Sequence, residues 1–196
     1  MFGLILTLAL LSGPATPEDF ANRNNEALAL ISFPWQQLHY NIVFLAPKQG
    51  VRAMIFPTAR RIEVYARPSD DSRLLAYDIA HELGHAIDLT FNTAETRKQW
   101  MATRGINPHT PWFGCNRCSD FKTPAGDFAE TFAFLLLGPD NFSGRIASAP
   151  TAEQVPVLKA FFPSKLEQTP VNPSDGVEAK AGAAKVLVES PVLAKK

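Results

Sequence analysis

Apolar residues recur at Leu75, Ile79, Leu83 and Ile87, one helical turn apart, so the stretch that begins near Leu74 reads as a helix with one buried stripe. Pro68-Ser69-Asp70-Asp71 ahead of it supplies a turn and N-cap candidates. Upstream the period changes. Ile62, Val64 and Ala66 alternate with Arg61, Glu63, Tyr65 and Arg67, which predicts a strand with one buried face and an edge to which an extended peptide can add. Tyr40–Leu45 and Val51–Phe56 predict two further strands, ended at Pro47-Lys48-Gln49-Gly50 and Pro57-Thr58. Residues 18–38 read as a helix or helical pair, and Ala94–Arg104 as a helix with Trp100 and Met101 inward. Residues 105–124 form a long loop. A largely apolar helix follows, with Thr123 as N-cap, Pro124 at its first position and Gly138-Pro139 as its stop. A last short helix falls within 151–162. The class is α+β: a small twisted sheet with an edge strand, joined to helices on either side of a long loop.

Within the first of these helices stand His81-Glu82-Leu83-Gly84-His85. Histidines four apart share one helical face, so their imidazoles can converge on one Zn²⁺, with Glu82 as general base toward a zinc-bound water. Unpaired imidazoles on a buried face are costly, which favours ligands over bystanders. Gly84 is a poor helix former, disfavoured by about 1 kcal/mol against Ala, and suggests close approach of another element beneath the histidines.

A catalytic zinc usually takes three protein ligands and keeps one open position. The histidines number four: His39, His81, His85 and His109. The metzincin pattern fails, because its Gly and third His positions are Asp88 and Phe91. A carboxylate on the downstream helix is the alternative. Glu130, among Phe128, Ala129, Phe132 and Ala133, is the best candidate, since an acid in such surroundings needs a partner. Asp127, one turn earlier on the same face, is either a histidine-orienting acceptor or itself the ligand. Tyr65, Tyr77 and His109 are candidates for stabilising an oxyanion.

His81–His85 followed by Asp127-Phe128-Ala129-Glu130-Thr131-Phe132-Ala133 resembles the gluzincin class of zinc metallopeptidases. The local sequence is similar to small secreted bacterial peptidases and to the catalytic-domain group of anthrax lethal factor. The resemblance spans residues 40–138. It implies a zincin-like fold and a zinc endopeptidase, with one zinc ion on His81, His85 and Glu130 and the base on Glu82. Many gluzincins carry an acidic residue one turn after the ligand glutamate. That position is Phe134 here, so the orienting role passes to Asp127 or Asp88.

Composition bounds the rest. A chain of 196 residues, 46% hydrophobic, suits one globular domain with extensions. Lys+Arg and Asp+Glu are each 19, and no basic stripe or Gly-rich phosphate loop occurs, which argues against nucleic acid as a partner. Fourteen phenylalanines and sixteen prolines predict an aromatic core and many loops. The apolar run at residues 2–11 is shorter than the roughly 20 residues of a membrane span and reads as a signal-peptide core, with Gly13-Pro14-Ala15 as cleavage site. The expected organisation is a signal peptide at 1–15, a metallopeptidase domain at 18–163 and a disordered tail at 164–196. In a secreted or periplasmic protein, Cys115 and Cys118 are expected to form a local disulfide. The function expected is an exported zinc peptidase acting on peptide or protein substrates. The alternatives are a zinc-stabilised binding module that has lost catalysis and a zinc hydrolase of a non-peptide bond. Oligomeric state is not legible in the sequence.

Overall fold

The computed structural model describes residues 16–114, 119–141, 144 and 146–162. The expected signal segment, the Cys115/Cys118 pair and the tail from 164 lie outside these.

Helix α1 (Pro17–Ala29) starts at a capping box, in which the Thr16 hydroxyl accepts from Asp19 N and Asp19 Oδ2 accepts from Thr16 N. A 3-10 turn (Trp35–Leu38) leads into β1 (Asn41–Leu45). β2 (Ala53–Phe56) and β3 (Arg61–Tyr65) form an antiparallel hairpin, and β3 also pairs in parallel with β1. The order β1-β3-β2 makes a three-stranded mixed sheet. Four helices follow in the described residues: α2 (Ser72–Phe91), α3 (Ala94–Thr103), α4 (Pro124–Leu137) and α5 (Gln154–Lys159). The α+β class and the three strands therefore hold, with shorter bounds than expected.

One expectation is corrected. The Arg61–Arg67 segment is the central strand and has no free edge; β1 and β2 are the edges. Its polar face is not open either. Glu63 and Tyr65 are buried, because the Tyr65 hydroxyl donates to Glu63, Arg61 reaches Glu63 at 2.6 Å, and Lys48 lies over the Tyr65 ring. Long neighbouring side chains cover a face whose sequence reads as exposed.

Helix α2 occupies the centre. Asp71 caps it, accepting from Leu74 N at 2.8 Å. Leu75, Ile79, Leu83 and Ile87 are fully buried as expected, yet burial extends to every residue from Leu75 to Asp88. α1, the sheet and α4 together enclose the helix. Its polar side chains are therefore obliged to find partners. Asp78 takes Arg52, with Arg52 Nη2 2.7 Å from Oδ2. Asp88 accepts from Arg97, Asn92 and the Trp112 indole.

α4 is the second layer over α2. Thr123 caps it, accepting from Gly126 N at 2.9 Å, with Pro124 in the first turn and Gly138 ending it at a positive φ of 80° that only glycine adopts readily. Phe128 and Phe132 pack with Trp100, Phe33 and Phe162 in an aromatic cluster, which Phe161 joins through Trp100. Among the described residues no helix is long and apolar enough to cross a membrane.

Candidate metal centre

The spacing of four along α2 puts the His81 and His85 rings edge to face, 4.9 Å between centroids. Both are buried, as is Glu82 between them. Gly84 sits on the side facing α4. A Cβ there would lie 2.6 Å from Ala129 Cα and 3.0 Å from its carbonyl oxygen, so the glycine permits the close approach anticipated from its poor propensity.

That approach brings Glu130 to His81. Glu130 is fully buried, and its Oε2 lies 3.0 Å from His81 Nδ1. Glu130 Oε2 takes the Nδ1 side of the ring, which leaves the Nε2 side turned to Asp120. Glu130 thus stands at the ring nitrogen away from the gathering point.

A residue absent from the sequence expectations stands at that point. Asp120 Oδ2 is 3.2 Å from His85 Nε2 and 3.7 Å from His81 Nε2. One ligand atom each from His81, His85 and Asp120 lies within 4.8 Å of the others. Asp120 belongs to the turn before α4, where its carbonyl accepts from Thr123 N at 3.1 Å and Thr123 Oγ1 at 2.9 Å. The signal that could have revealed it is Gly126, a second poor helix former in the first turn of a helix. A Cβ there would meet Asp120 O at 2.2 Å.

The donor set fits a divalent metal. His81 Nε2 is buried without a hydrogen-bond partner, beside a second imidazole and a half-exposed carboxylate. Two imidazole nitrogens and one carboxylate oxygen are a ligand set zinc accepts. Electrostatics agree. Burial opposes charge on His81, but the carboxylates of Asp120, Glu130 and Glu82 outweigh it and push the metal-free imidazole up to about 10. Burial also opposes charge on Asp120, yet His81 and His85 hold its carboxyl far below the usual range. Glu82 is raised, chiefly by burial, with Asp120 and Asp78 adding to it against the pull of the two histidines.

The other anticipated residues sit elsewhere. Asp127 accepts from Arg104 and from the Trp100 indole at 2.9 Å, so it does not orient a ligand histidine. Asp88 is committed to Arg97, Asn92 and Trp112. Both orienting assignments are corrected: each carboxylate was already needed to neutralise an arginine. Of the oxyanion candidates, Tyr65 spends its hydroxyl on Glu63, and burial first, with Glu63 adding to it, pushes that hydroxyl up to about 12. Tyr77 is buried in α2, one turn before His81, and His109 is exposed on the long loop. No family model, characterised protein or solved structure matches this chain.

Proposed function

We propose that the chain is a zinc-dependent hydrolase of peptide bonds, with Glu82 as general base. The observation that carries this reading is the convergence of His81 Nε2, His85 Nε2 and a carboxylate oxygen beside a buried glutamate on the same helix. When bound, zinc would supply Lewis acidity to a substrate carbonyl and acidify a water at its open position. His81 and His85, with one carboxylate, would hold it.

The chain's own groups divide the remaining work. Glu130 fixes the His81 tautomer, so that ring offers the site a lone pair. Glu82 accepts a proton from the attacking water and returns it to the leaving amine. Its affinity for protons is raised, chiefly by burial, in the direction that suits a group that must both take and give one. A purely structural metal site has no need of such a base, which favours catalysis over a binding module. Among the described residues β2, which packs against α2, is an edge strand, and that edge suits an extended peptide adding as a further strand. The apolar run at residues 2–11 supports an exported setting.

Metal analysis combined with cleavage of a peptide library tests this reading. One zinc per chain, and cleavage abolished by chelation, are expected. A metal-free active protein, or a zinc-loaded one that cleaves only esters, would remove the peptidase assignment.

A further inference from the structure

We infer that Asp120, in the turn ahead of α4, is the third metal ligand and that the helical Glu130 is a positioning residue behind His81. The inference rests on the metal-dependent reading above and names the ligand that reading leaves open.

The two nitrogens of an imidazole point to opposite sides of the ring, so one ion meets only one of them. In His81 the Nδ1 side is occupied by Glu130 at 3.0 Å. The Nε2 side is buried, without a hydrogen-bond partner, and turned toward Asp120. His85 presents its own Nε2 to the same oxygen, Asp120 Oδ2, at 3.2 Å. An ion shared by both histidines through these nitrogens would lie on the Asp120 side of the His81 ring, away from the nitrogen that Glu130 Oε2 holds.

Access separates the two acids as well. The Glu130 side chain is 1% exposed and that of Asp120 is 44% exposed. A hydrolytic metal needs an open position that water and substrate reach, and the Asp120 side of the site meets solvent.

The turn is built to deliver this carboxylate. Thr123 holds the Asp120 carbonyl with both its amide and its hydroxyl. Gly126 leaves the space: a Cβ there would stand 2.2 Å from Asp120 O and 2.8 Å from Asp120 Cβ. Gly126 lies inside α4, so steric room and not backbone freedom is what the glycine supplies.

Matched charge-removing variants test the assignment. Zinc affinity of the full chain would be read by competition with a chromophoric chelator, and the ligand field by the visible spectrum of the Co²⁺-substituted protein. Asp120→Asn is expected to lose more than the about 10- to 100-fold typical of an outer partner and to alter the Co²⁺ spectrum. Glu130→Gln is expected to stay within that range with the spectrum retained. Gly126→Ala, which removes no ligand, should weaken zinc in the same direction as Asp120→Asn, and the double variant should be little worse than Asp120→Asn alone. If Gly126→Ala does not fold, the two isosteric variants decide alone. A loss in Glu130→Gln equal to or greater than that in Asp120→Asn overturns the assignment while leaving the metal reading intact. Wild type that binds no zinc, or His81→Ala that binds it undiminished, overturns the metal reading and the ligand assignment together.

Discussion

Gly84 of α2 and Ala129 of α4 meet backbone to backbone, with room for a hydrogen at the glycine and none for a methyl group. The contact lies one residue before Glu130 and between the two site histidines, so it sets the distance from which the second helix addresses His81.

Gly84→Ala therefore pits two effects against each other. Alanine favours the helix by about 1 kcal/mol. Overpacking against a backbone that cannot rotate away costs about 1–3 kcal/mol. The steric cost should win, lowering the midpoint of urea unfolding and weakening zinc binding as Glu130 is pushed from His81. An unchanged or raised midpoint would show that the helices separate freely.

Glu82→Gln preserves shape and removes the base. Zinc should be retained, with peptide cleavage slowed by at least about 10²-fold, the lower end for a general base. Turnover near the wild-type rate in a zinc-loaded variant would sink the assigned role.

Asp127→Ala separates a structural acid from a site acid. It leaves the Arg104 side chain, only 6% exposed, without its main partner. Removing one member of a buried pair costs about 3–5 kcal/mol. Stability should fall by that order while the folded variant keeps its zinc affinity, checked by denaturant titration and chelator competition on the same sample. A large affinity loss without destabilisation would return Asp127 to the site.

Metal uptake should be linked to protons. The metal-free His81 imidazole is raised from 6.5 to about 10, and a metal ligand must give up that proton. Zinc affinity is thus expected to climb as pH rises from 7 to 9. The sign for metal-free stability is opposite. A raised folded-state value contributes stability that is complete below about 6.5 and is lost as pH rises toward about 10. Urea titrations in chelator at pH 6.5 and 9.5 check this, and greater stability at the higher pH would contradict it.

The histidine helix was legible because its signals are local: periodic leucines and isoleucines, an aspartate cap, and a glycine that helices normally avoid. α4 was legible for the same reason, from Thr123, Pro124 and Gly138. The place of β3 was not. Alternation describes the two faces of one strand and says nothing about which strands flank it, so a central strand whose polar face is roofed by Lys48 and Arg61 reads like an edge. Asp120 was hidden for a related reason. It sits in an aperiodic loop, 39 and 35 residues from His81 and His85 in sequence (120 − 81 and 120 − 85), and only tertiary folding brings it to them. Gly126 carried the trace, since a glycine in a helix poses the same question wherever it stands.

The enclosure of α2 has a consequence for how the chain is made. The histidine helix leaves the ribosome well before its cover, because α4 ends at Leu137 and Glu130 reaches His81 across 49 residues. Until that stretch has been synthesised, α2 has only α1 and the sheet against it, and the face at Gly84 that α4 covers stays bare. Vectorial synthesis thus makes the interval from Phe91 to Leu137 the hazardous stage, and a chain halted before Thr123 lacks the helix that would shield it.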